Sequence, residues 1–192
     1  MYHEIMLMLR DGALHQAPLS SPQRILDIGT GTGIWAIDMA DKYPSAVVTG
    51  IDICPIQPRW VPPNCCFEVE DAERDWTWGD NVFDLVHART VSHSIGDWPR
   101  MLEQALRVVR PGGYIELSEF EMETFSDDNT MADDNPTKIY FNHLNRALAA
   151  VGRPGVTQAS LKKLLEDAGF VDVKLVQEKQ PIGQWPKSKK YK

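Results

Sequence analysis

At 192 residues the chain has the length of one domain, and 43% hydrophobic residues are enough to build a core. A net charge of −7 and a sequence pI of about 5.2 exclude a general nucleic-acid surface, which needs clustered Lys and Arg. No apolar run approaches the ~20 residues of a membrane span, and EIMLMLR lacks the basic flank of a signal peptide. The expected setting is cytoplasmic or nuclear, with no membrane and no direct nucleic-acid partner.

A short N-terminal helix precedes ALHQAP. RILDIG is a short apolar run that ends in Gly29, and IWAIDMADKYP follows with helical spacing until Pro44 stops it. AVVTGIDI reads as the second strand. CPIQPRWVPPN has four prolines and cannot be a regular helix. CFEVEDAE reads as the third strand and NVFDLVHAR as the fourth. Asp97 caps a helix with Pro99 in its first turn and a buried stripe of Met101, Leu102, Ala105, Leu106 and Val109. RPGG ends that helix and leads into the fifth strand, YIELSEF. From about Glu121 to Val156 the alternation breaks, with polar loop and then a helix carrying Ile139, Leu144, Leu148 and Val151. TQASLKKLLEDAGF is an amphipathic helix with Gly169 as its C′ residue, and VDVKLVQ reads as a sixth strand. The basic end KSKKYK reads as a solvated terminus.

Strands alternating with helices predict an α/β fold, a Rossmann-like doubly wound and mostly parallel sheet. The whole chain, 1–192, is expected to be one domain with a substrate-side insertion at about 121–156. Cys54, Cys65 and Cys66 lack zinc-site spacing; Cys65 and Cys66 are expected to be small buried residues. Asp127, Asp128, Asp133 and Asp134 lie in polar loop and read as solvated charge, so no metal site is expected.

Ligands of doubly wound sheets bind beyond the carboxyl ends of the strands, where the strand order reverses. In ILDIGTGTGIWA, glycines at 29, 31 and 33 allow a sharp turn and close backbone approach. GTGIWA also matches G-x-G-x-x-A with Asp52 about 20 residues on, as a dinucleotide site asks. Asp27 opposes that reading, since a carboxylate beside a diphosphate in low dielectric is costly. The frame D-x-G-x-G-x-G suits a ligand with a cationic end instead, and S-adenosylmethionine has an ammonium and a sulfonium. Asp52 at the end of strand two can accept from both ribose hydroxyls. Asp71 at the end of strand three can accept from the adenine amine while the Ala72 N–H meets a ring nitrogen. His87 to Arg89 close strand four.

These segments, with DWPRMLEQALRVVRPGGYIEL and AGFVDVKLV, resemble the LaeA-like fungal methyltransferases, class I S-adenosylmethionine-dependent proteins linked to secondary metabolism. The resemblance runs from about Met6 onward; PIQPRWVPPN is its most specific part, and the glycine motif is common to all class I methyltransferases. It implies S-adenosyl-L-methionine as cofactor, held by Asp27, Gly29, Thr30, Gly31 and Gly33 of the glycine motif, by Asp52 and Ile53, and by Asp71 and Ala72. It places His87 near the sulfonium. The chain departs from that family at both ends. Its N-terminal cover is short, and it ends before the last antiparallel strand, so a truncated sheet is expected.

Methyl transfer from a sulfonium needs alignment and a dry site; a base is needed only when the acceptor must lose a proton. His93, in TVSHSIGDW, is the candidate for that role; a structural role is expected for His15. The acceptor is a small molecule or a protein, and a further protein partner is compatible with the composition. Two other readings stay open at this point: an NADP-dependent oxidoreductase on the same sheet, and a non-catalytic remnant acting through protein contacts.

Overall fold

The computed structural model describes residues 2–182; the KSKKYK end lies outside the described residues. The elements are α1 (Tyr2–Leu9), β1 (Arg24–Ile28), α2 (Ile34–Lys42), β2 (Val47–Asp52), β3 (Cys65–Val69), β4 (Phe83–Arg89), α3 (Trp98–Val108), β5 (Val109–Ser118), α4 (Pro136–Ala150) and α5 (Gln158–Asp167). The strands form a parallel sheet in the order β3-β2-β1-β4-β5.

Side-chain alternation along β1 sorts the core into two layers. Leu26 and Ile28 point to one face, with Val86 and Ala88 of β4, and pack under Met101, Leu102, Ala105 and Val108 of α3 and Leu165 of α5. Ile25 points to the other, with Val48 and Leu85, under Trp35, Ala36, Met39 and Ala40 of α2. Helices on both faces make the sheet doubly wound. Local chemistry fixes the helix ends. As the sequence predicts, the Asp97 side chain accepts from Arg100 N–H at the start of α3, and Gly169 follows the C-cap residue Ala168 with φ +102°. Thr157 and Ser160 add a capping box on α5 that the sequence reading did not name.

Four expectations need correction. VDVKLVQ is not a strand: among the described residues nothing pairs with the outer side of β5, and an alternating pattern makes no ladder without a neighbour to bond. RPGG does not precede β5 but lies inside it, where Gly112 at φ +78° helps the register slip between Val109, opposite Phe83, and Tyr114, opposite Leu85. The buried stripe of α3 holds only in part, since Leu106 is 37% exposed and Val109 belongs to β5; α4 buries no residue at all. Cys66 is exposed, whereas Cys65 is buried.

Candidate functional site

The strand order reverses between β1 and β4, and there Asp27 stands in register with His87. Both side chains point to the α2 face. A carboxylate only accepts, so the 2.7 Å contact is Nδ1–H of His87 donating to Asp27 Oδ1. The Thr30 hydroxyl donates to Asp27 Oδ2 at 2.6 Å. Trp35 lies flat on the imidazole, with ring centroids 3.6 Å apart and planes 8° from parallel, and its indole N–H is held by the Leu14 carbonyl at 2.8 Å. Asp27 is 3% exposed and His87 1%. The expected direct approach of Asp27 to a cationic ligand end is therefore not its arrangement here. Each oxygen holds one inward donor, Thr30 or His87, and burial rather than a lack of lone pairs keeps this carboxylate from the surface.

The three glycines differ. Gly29, Gly31 and Gly33 all have left-handed φ, at +63°, +58° and +80°. A Cβ on Gly29 would meet Val91 Cγ1 at 2.6 Å, and one on Gly33 would meet the Phe67 ring at 2.3 Å. A Cβ on Gly31 meets nothing within 4 Å. Two glycines thus make room for the protein's own side chains, and Gly31 alone combines the turn with open space.

Asp52 ends β2 beside that opening. Its Oδ2 accepts from Gly31 N–H at 2.8 Å and its Oδ1 from Cys54 N–H at 2.9 Å, which leaves a second lone pair on each oxygen. The Gln57 amide donates to the Gly31 carbonyl at 2.8 Å and ties the proline-rich segment to the turn. Ile53 is exposed. Asp71 follows β3, half exposed; its Oδ1 accepts from Glu73 N–H at 3.0 Å, and Arg74 lies 3.5 Å from its Oδ2. The Ala72 carbonyl accepts from Trp76 Nε1 at 3.0 Å, and Trp76 is packed in the core, as is Trp35.

Of the other histidines, His15 bonds the Ala17 carbonyl and the Tyr43 hydroxyl, both at 2.8 Å. Burial, the largest influence, holds its pKa below the ordinary histidine value. His93 follows β4; its Nε2 is covered, has no partner among the described residues, and lies 3.6 Å from where a Cβ of Gly155 would be.

Two carboxylates were not singled out by the sequence. Glu119, just past β5, accepts from Val91 N–H at 2.9 Å and Ser92 N–H at 3.2 Å and holds the loop after β4; burial raises its pKa against those bonds. Glu73 accepts from Gly96 and Asp97 N–H at 2.7 and 3.0 Å and from Arg153 Nη2 at 3.1 Å. Burial pushes its pKa up, but those bonds outweigh it and hold it below the usual glutamate value. Their partners lie 23 to 80 residues away in sequence, so no local pattern signals them. The N-terminal segment is also more firmly built in than its length suggested. His3 is buried and 2.8 Å from Asp38 of α2, and Arg10 donates to Glu116 and Ser118 of β5 at 2.8 and 2.6 Å.

A five-stranded doubly wound parallel sheet, with a glycine turn and carboxylates near successive strand ends, defines an α/β domain with the class I methyltransferase fold. The chain belongs to the methyltransferase-domain family, whose pattern matches residues 3–175. It is 40% identical to the secondary metabolism regulator LAE1 of Cochliobolus heterostrophus, over 96% of this chain and 62% of the relative. It is 34% identical to the protein-methionine methyltransferase laeA of Emericella nidulans, over 96% of this chain and 50% of that one. The chain thus spans between half and two thirds of the length of these relatives. In fold it is similar to Haemonchus contortus phosphoethanolamine N-methyltransferase 2 in complex with S-adenosyl-L-methionine, with a TM-score of 0.62 and 19% identity over 89% of this chain and 37% of that one. Among the described residues no helix is long and apolar enough to cross a membrane, and no group of three or more His, Cys, Asp or Glu could hold a metal ion.

Proposed function

We propose that the carboxyl edge of β1 to β4 binds S-adenosylmethionine and that the domain takes part in methyl transfer to an acceptor of fungal secondary metabolism, a small molecule or a protein. The observation that carries this is the pairing of Gly31, open above its backbone, with Asp52, which holds the Gly31 N–H and keeps two lone pairs free. Those residues fit the nucleoside: a ribose diol needs two acceptors side by side, and Asp52 offers them. Ile53 supplies an exposed apolar side chain next to it, and Asp71 and Ala72 supply an acceptor and a backbone N–H for adenine.

Bound S-adenosylmethionine supplies an already activated methyl group, so the chain's task is alignment, worth up to ~7–11 kcal/mol. Asp27 and His87 serve it from beneath: they fix Thr30, and with it the Gly29–Gly33 turn, without spending an open charge. Glu119 fixes Val91 and Ser92, the loop that leads to His93. His93 is the base for an acceptor that must lose a proton; its Nε2 lies under the Gly155 segment, which must move for it to act. The insertion at about 121–156 lies on the acceptor side of a single domain, consistent with loop-borne specificity.

The expected result is calorimetric binding of S-adenosylhomocysteine and none of NADP. Binding of NADP alone would overturn the reading in favour of an oxidoreductase. Asp52→Ala should weaken S-adenosylhomocysteine by about 10- to 100-fold, the range for hydrogen bonds to a charged group.

A further inference from the structure

Glu73 does two things at once. Its backbone N–H donates to Asp71 Oδ1 at 3.0 Å and so sets the Asp71 carboxylate. Its side chain gathers two other segments: Gly96 and Asp97 of the loop before α3, and Arg153 of the loop between α4 and α5. Arg153 is forked, with Nη2 on Glu73 and Nη1 on the Ser94 carbonyl. The seam is tight. A Cβ on Gly96 would stand 3.3 Å from Glu73 Oε1, 3.6 Å from the Gly152 carbonyl and 3.9 Å from Arg153 Nη1. The same α4–α5 loop carries Gly155, which covers His93. Three segments distant in the chain therefore meet on one carboxylate: the Asp71–Ala72 turn, the β4–α3 loop, and the end of the 121–156 insertion.

We infer that Arg153 and Glu73 are positioning residues through which the insertion sets the Asp71–Ala72 turn, so that the arrangement of the acceptor side governs how tightly the adenine end of the cofactor is held. The inference rests on the S-adenosylmethionine reading above. Geometry supports a bidentate arginine in this role: a planar guanidinium reaches two acceptors in fixed directions, and a lysine ammonium cannot span both in the same way. Neither residue is placed to touch the cofactor, so their effect must travel through Asp71.

The test is calorimetry at a temperature where every protein is folded, with S-adenosylhomocysteine and with adenosine, on the wild-type chain, Glu73→Gln, Arg153→Gln and the double variant. Thermal melts are recorded alongside. Each single variant is expected to weaken both probes by the same factor, roughly tenfold for a lost charged hydrogen bond. The double variant should be no weaker than the worse single one, because the two residues act as one unit. Should a glutamine variant not melt cooperatively, Arg153→Lys takes its place and is expected to weaken both probes by a smaller common factor. Wild-type affinity in the folded variants, or factors that multiply in the double variant, would overturn the inference, even where the melting temperature falls. A wild-type chain that binds neither probe would instead overturn the S-adenosylmethionine reading, and the inference with it.

Discussion

The Nδ1–H of His87 and the carboxylate of Asp27 meet at 2.7 Å across adjacent parallel strands, in one register row, with Trp35 stacked on the imidazole. The pair belongs to the fold first. Asp27→Asn is nearly isosteric, but its amide can present only one acceptor oxygen to two inward donors, Thr30 Oγ1 and His87 Nδ1. The variant should lose about 1–3 kcal/mol, the cost of an unsatisfied buried polar group, read as a lower urea midpoint with an unchanged slope. An unaltered midpoint would show that the pair contributes nothing to stability.

The glycines make a second, ranked prediction. Gly33→Ala forces a Cβ into the Phe67 ring and keeps a left-handed φ; Gly31→Ala meets only the φ cost, about 1–2 kcal/mol. Thermal melts should rank Gly33→Ala well below Gly31→Ala, and Phe67→Ala should restore part of the loss in a Gly33→Ala background. The order should reverse for S-adenosylhomocysteine binding measured on folded protein, where Gly31→Ala fills the open side of the turn. Equal melting temperatures would mean that Phe67 yields freely.

Much of this architecture is legible in the sequence because its determinants are local. The apolar run of RILDI, Pro44 after α2, the Asp97 cap and Gly169 after α5 each act within a few residues. The spacing Asp27, Asp52, Asp71 could be read for the same reason, as strand ends repeat with the βαβ unit. What each carboxylate touches could not. Asp27 is turned inward by His87, 60 residues on, and this weakens the argument that its charge repels a diphosphate; the family match carries the methyltransferase reading instead. VDVKLVQ shows the converse limit, a strand pattern whose ladder depends on a partner the pattern does not contain.

Glu73 and Glu119 should give stability opposite slopes with pH. Glu73 is held below the ordinary value of about 4.3, so its contribution is present above that value and is lost as pH falls through the lowered one. Glu119 is raised, first by burial; the stability tied to its protonated form is full below about 4.3 and is lost as pH rises through the raised value. Denaturation profiles should therefore show the deficit of Glu73→Gln shrinking toward acid. Glu119→Gln should gain on the wild type as pH climbs toward neutrality. Parallel profiles for the two variants would contradict both assignments.

Thiol chemistry offers a probe of where the nucleoside sits. Burial pushes the Cys65 thiol up to about 12, so it is neither accessible nor ionised at pH 8, while Cys54 and Cys66 are exposed. Alkylation followed by mass spectrometry should label Cys54 and Cys66 quickly and Cys65 only on unfolding. Cys54 also donates its N–H to Asp52 Oδ1, two residues from the carboxylate proposed to bind the ribose. Cys66 lies near the amino end of β3, opposite Thr49 in the register of β2, away from the carboxyl ends of the strands. Saturating S-adenosylhomocysteine should therefore slow Cys54 several-fold and leave Cys66 unchanged. Equal rates with and without the ligand, at concentrations where calorimetry shows binding, would place the nucleoside elsewhere than on Asp52.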